Sequence, residues 1–149
     1  MIRVAMAAGL LVFGASVVLA QQDLAVKQDN LMKAIAKPFY GVLSATARGR
    51  APYDQAAINT ALNQLEQEVG KIAATYADNP KERLKGAEYG PSQKVWQNKA
   101  DFDSKIPPVL KASADSKGKV KDVETTKVAV QAINTQCDGC HETYRIKLK

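Results

Sequence analysis

Histidine occurs once and cysteine twice in this chain of 149 residues, and that scarcity removes most catalytic and metal-binding designs. No spare imidazole is available for acid–base work, no nucleophile elbow occurs, and the carboxylates are scattered over polar faces rather than paired, so the chain carries no enzyme constellation. Aromatic residues make up only 6% of the sequence, with three Phe, one Trp and five Tyr, too few to fill a wide interior. Like charges do not run in long blocks. Lys117 to Lys121 is too short a basic patch to argue for nucleic acid. No internal repeat of solenoid length is present.

Long apolar runs are also missing, with one exception. Val4 to Leu19 contains no charge, follows Met1-Ile2-Arg3 and ends in Val18-Leu19-Ala20 before Gln21-Gln22-Asp23. A positive start, an apolar middle and a small-x-small site are the layout of a secretory signal peptide, cleaved after Ala20. The run is shorter than the roughly 20 residues of a bilayer-spanning helix, so no membrane insertion is expected. Removing residues 1–20 from 149 leaves 129, one domain at 21–149. The leader takes one Arg with it, leaving 20 basic against 15 acidic residues, a net charge of +5.

What remains is rich in Ala, Lys, Gln, Leu and Val, and its apolar residues recur at helical spacing. A first block, from about Asp23 to Ala47, carries Leu24, Leu31, Met32, Ile35, Phe39, Val42 and Leu43, with a kink or local break predicted at Pro38. A second opens with Asp54 as N-cap and carries Ile58, Leu62, Leu65, Val69 and Ile72 to about Tyr76. Residues 77–91 read as a polar loop. A third block follows from Ser92 with Val95, Trp96, Phe102, Ile106, Val109 and Leu110, interrupted by Pro107-Pro108. After a loop at 112–121, Asp122 reads as the N-cap of a last helix with Val130, Ile133, Cys137, Cys140 and Tyr144 on one seam. Four amphipathic helices without a strand signal predict an all-α, antiparallel four-helix bundle.

Both cysteines and the histidine fall in Cys137-Asp138-Gly139-Cys140-His141. Four chemistries use such a motif. A thioredoxin-like pair belongs at a helix N-terminus after a strand, whereas this one lies deep in a helical pattern. Structural zinc needs four ligands and the chain offers three. A plain disulfide is the bland reading for an exported chain. Cys-x-x-Cys-His is the attachment signature of c-type haem, and its spacing suits that chemistry best. Two thiols three residues apart on a helix reach two vinyl groups on one porphyrin edge, and the next imidazole, His141, binds the iron. For the sixth iron position the mature chain has one methionine. Met32 lies in step with Ile35 and Phe39, and from the residues alone it is equally a thioether ligand or a flexible core filler. Ile35, Phe39, Trp96, Phe102 and Ile133 are candidate haem-pocket residues.

The mature chain resembles the class II c-type cytochromes, the cytochrome c′ family, with the motif near the C-terminus in Cys-x-x-Cys-His-x-x-aromatic-Arg form, ending in Tyr144 and Arg145. It is most similar to the low-spin cytochrome c556 subgroup through Gln21-Gln22-Asp23-Leu24, Leu31-Met32-Lys33, the stretch Pro52 to Ala57, Lys94-Val95-Trp96 and Lys119 to Val123. Pro38 and Pro107-Pro108 depart from it. The resemblance implies a covalent haem c, Met32 as distal iron ligand opposite His141, and Arg145 beside the haem on its proximal side.

These residues predict a periplasmic electron carrier rather than an enzyme. Lys27, Lys33, Lys37, Lys147 and Lys149 are candidates for a basic ring that steers acidic redox partner proteins. A homodimer through the first two helices fits the pattern. Two other classes compete: a five-coordinate cytochrome c′ binding nitric oxide or carbon monoxide with Met32 in the core, and a haem-free helical thiol or scaffold protein.

Overall fold

A computed structural model describes residues 12–80 and 82–148, with side chains described from Asp23 onward. The start of the leader and the side chains around its cleavage site after Ala20 lie outside the described residues. Helix α1 runs from Val12 to Pro38 and passes directly into a π-helical segment, Phe39–Ser44, and a last α turn, α2, at Ala45–Ala47. Pro38 has no N–H to offer, so the i→i−4 ladder lapses there and the chain continues in the wider π turn. The predicted break is therefore a change of winding inside one helical column.

The second column is α3 (Gln55–Val69) with a final turn, α4 (Ile72–Thr75). Asp54 caps α3, accepting from the backbone N–H of Ala57 at 2.9 Å. The third is broken into α5 (Lys94–Gln97), α6 (Lys99–Ser104) and α7 (Ile106–Ser116). Here two expectations are corrected. Pro107 and Pro108 occupy the first turn of α7 and start that helix, because an N-terminal N–H has no intrahelical partner to lose. The loop expected at 112–121 begins only after Ser116.

The fourth column, α8 (Val123–Tyr144), begins at Asp122, whose carboxylate accepts from the Thr125 backbone at 2.8 Å while the Thr125 hydroxyl serves the Asp122 N–H. The Thr125 backbone N–H and the Thr125 hydroxyl both donate to the Asp122 carboxyl and hold it below its usual range, the backbone bond contributing most. A carboxyl lowered in the folded state contributes stability above its ordinary value near 4 and loses it as pH falls. The difference in Tm between wild type and Asp122→Ala is accordingly expected to narrow on acidification from about pH 5 to about pH 2. A gap independent of pH in thermal melts would contradict this.

Column one packs on α3, α3 on α7, α7 on α8, and α8 closes against the π segment and α2, completing the four-helix bundle. An unpredicted element joins its end. β1 (Tyr89–Pro91) pairs antiparallel with β2 (Arg145–Lys147), Gly90 opposite Ile146, and the bonds from Ser92 N–H to Tyr144 O and from Leu148 N–H to Glu88 O extend the ladder. The end of the polar loop read at 77–91 is thus pinned to the end of α8. Among the described residues no helix is long and apolar enough to cross a membrane.

The interior divides into two apolar clusters. The larger gathers Phe39, Leu43, Ile58, Leu62, Leu65, Val69, Val109 and Ile133 with smaller neighbours; the second is Leu31, Tyr76, Val95, Phe102 and Tyr144. Ile35 and Ile72 pack against both.

Candidate haem site

The seam of α8 faces the boundary between the two clusters. Ile133 is buried in the first, Tyr144 in the second, and the half-buried thiols between them divide: Cys137 packs on the first cluster and Cys140 on the second. They stand as separate thiols. Burial pushes the Cys137 thiol up to about 11, with the charge of Asp138 adding to it, and burial raises Cys140 as well. His141, half-buried on the next position, is shifted down, first by burial and then by the Arg145 cation. That shift favours the neutral imidazole, the form whose nitrogen lone pair binds a metal.

Opposite α8, helix α1 presents Met32 and Ile35. Met32, Ile35, Ile72, Trp96 and Cys140 all pack, half-buried, against the second cluster. Of the residues picked out as pocket candidates, Ile35 and Trp96 lie at this boundary, Phe102 is buried in the second cluster, and Phe39 and Ile133 are buried in the first. The second cluster is an aromatic stack. Phe102 packs edge-on to Tyr144, with ring centroids 5.2 Å apart, and tilted against Tyr76 at 5.6 Å. The Tyr144 hydroxyl donates to the Asp101 carboxylate, which also meets Lys105 Nζ at 3.3 Å. That hydrogen bond is the largest cause pushing Tyr144 up to about 12 and holding Asp101 low.

Arg145, four residues after His141, would share its helix face if α8 continued, but α8 stops at Tyr144 and Arg145 has extended backbone in β2. Its N–H still bonds the carbonyl of His141, while its guanidinium lies over the Tyr89 ring at 4.7 Å. Tyr89, Ile72 and Tyr76 were not singled out from sequence as site residues. Tyr89 sits in a polar loop, and the two others carried only a helix pattern.

The donor set fits a covalent haem. Two thiols and an imidazole project from one helix, and the half-buried apolar side chains of Met32, Ile35 and Trp96 offer surface suited to a porphyrin. A helical bundle with this motif on its last helix defines a class, the bundle-type c cytochromes.

Residues 23–145 match the profile of the family described as Cytochrome C′. The chain belongs to the cytochrome c′ family. It is 55% identical over 139 residues to cytochrome c-555 of Bradyrhizobium diazoefficiens, covering 93% of each chain, and 42% identical over 149 residues to cytochrome c-556 of Rhodopseudomonas palustris, covering 99% of each. A structure of oxidised R. palustris cytochrome c556 superposes with a TM-score of 0.73 at 37% identity, covering 86% of this chain and 99% of that one. The protein accordingly carries one covalent haem c and serves as an electron carrier.

Proposed function

We propose that the protein is a periplasmic electron carrier whose haem is attached through Cys137 and Cys140 and whose iron is held by His141 and Met32 in both oxidation states. The observation that supports it most is packing: Met32 from α1 and Cys140 from α8, far apart in sequence, rest against the same apolar cluster. The haem supplies a one-electron Fe(III)/Fe(II) couple. The polypeptide sets its potential. A thioether at Met32 favours the reduced iron over a second nitrogen ligand, and an apolar surround disfavours the extra positive charge of the oxidised form. Two ligands retained in both states keep the reorganisation on electron transfer small. With no second histidine in the chain, and with Met1 and Met6 in the expected leader, Met32 is the methionine left for the distal position.

Docking rests on charge. Lys27, Lys37 and Lys147 are exposed, whereas Lys33 is paired with Asp29 at 2.6 Å and contributes less free charge. Lys149 lies outside the described residues. A modest basic excess suits weak, fast association with acidic redox proteins, and its rate falls with ionic strength.

Met32→Ala tests the assignment. The ferric spectrum is expected to lose its Met–iron charge-transfer band and turn high-spin, and the reduced form to bind carbon monoxide rapidly. The reduction potential is expected to fall by on the order of 0.1–0.3 V, within the roughly 0.8 V span that axial ligands set. A variant with the wild-type spectrum and potential would defeat the assignment and favour Met32 as core.

A further inference from the structure

Gln28 is 1% exposed although its neighbours in sequence, Lys27 and Asn30, face solvent. Its side-chain amide donates to two backbone carbonyls at the end of the second column, Thr75 O at 3.2 Å and Asp78 O at 3.1 Å. Both amide hydrogens are thereby committed. The orientation is fixed, because a flipped amide would set its oxygen against two carbonyl oxygens. Oε1 is buried and accepts from no protein donor. The link is returned from the other side: the Tyr76 hydroxyl donates to the backbone carbonyl of Gln28 at 3.3 Å. Trp96 Nε1–H then donates to the carbonyl of Tyr76 at 3.1 Å, bringing in the third column.

Three columns are therefore joined at one level by directional bonds between residues 20 to 50 positions apart. Met32 lies one helical turn after Gln28, on the same face of α1, and both Met32 and Trp96 rest on the cluster that contains Tyr76. Apolar packing is non-directional and tolerates small sliding of one helix along another. Hydrogen bonds to fixed carbonyls do not, since their geometry degrades within a fraction of an ångström. A neutral thioether is a soft, breakable iron ligand, so its retention depends on how firmly its helix is held.

We propose that Gln28, Tyr76 and Trp96 form a coordination clamp. By setting the position of α1 against the second and third columns, they hold Met32 on the iron and keep the protein a six-coordinate carrier. The clamp rests on the assignment of Met32 as ligand. These three are positioning residues that act through Met32.

The test uses the holoprotein with Gln28→Leu, which removes the side-chain bonds, and Tyr76→Phe, which removes one hydroxyl while keeping the ring against Phe102. Spectra and carbon monoxide binding are recorded well below each variant's Tm. The charge-transfer band is expected to weaken in both, more in Gln28→Leu. The carbon monoxide rate of the reduced form rises with the fraction of iron released from Met32, by about tenfold in the stronger variant. A merely structural role lowers Tm and leaves band and rate unchanged, and that result overturns the clamp. If Gln28→Leu fails to fold, Tyr76→Phe alone decides. A wild-type spectrum in Met32→Ala ends the ligand assignment and the clamp together. An altered Met32→Ala spectrum beside unaltered clamp variants ends the clamp alone.

Discussion

Replacing Cys137 and Cys140 together by alanine is expected to yield a chain with no covalently bound haem. The two thiols are the only cysteines in the sequence, and they lie one turn apart on the bundle-facing seam of α8, each against a different apolar cluster. No other side chain can form a thioether bond. Intact mass of the purified wild type should exceed the polypeptide by one haem, while the double variant should match the polypeptide alone and release any pigment into acidified acetone. Either single variant retains one bond and stays coloured after extraction. Under the proposed attachment the haem covers the half-buried Met32, Ile35 and Trp96, so the double variant should melt well below the holoprotein, in line with the stabilisation that a ligand specific to the folded state provides. A double variant whose haem resists extraction would contradict the attachment.

Leu62→Ala is the second change with a large expected effect, and it acts on the fold instead of the iron. Leu62 is 0% exposed in the middle of α3, within the cluster that holds Ile58, Leu65, Val109 and Ile133. Removing most of its side chain costs the transfer energy of the lost methyl groups plus a cavity that helices on all sides are slow to fill, about 2–5 kcal/mol. That corresponds to a fall in Tm of roughly 10 °C or more for a domain of this size. Val128→Ala, at a position 68% exposed, should change stability by less than about 0.5 kcal/mol. The cluster meets the site at its margin, through Cys137, Ile35 and Ile72, so Leu62→Ala is expected to keep the wild-type haem spectrum. Calorimetry and visible absorption on the same samples check both halves. A spectral change equal to that of Met32→Ala would show that the two clusters are not separable.

Local rules account for what was legible in the sequence. Asp54 and Asp122 stand where helix starts need a side-chain acceptor, and both cap as expected. The seam of Ile133, Cys137, Cys140 and Tyr144 follows from a period of 3.5 and is realised on α8. Pro107-Pro108 shows the limit of such rules. The same residue breaks a helix from inside and suits its first turn, and only the packed position of α7 decides which applies. The pairing of Tyr89–Pro91 with Arg145–Lys147 joins segments more than 50 residues apart, too short to carry a strand pattern of their own. It also places Arg145 in β2, beyond the end of α8.

Gln28 is the clearest case of information that no local pattern holds. A glutamine in an amphipathic helix reads as a solvated position. It is buried because the second column ends beside it, and the carbonyls of a helix C-terminus have no partner within their own helix. The scarcity of Cys and His left, without any coordinates, one motif to carry the chemistry, and the expected loss of the leader left Met32 as the candidate methionine. Those are matters of residue identity and spacing along a single helix. Which side chains surround the motif, and how α1 is held opposite α8, depended on contacts between columns. Such contacts arise only when the bundle closes, since their energy belongs to pairs of residues that the chain does not place near one another.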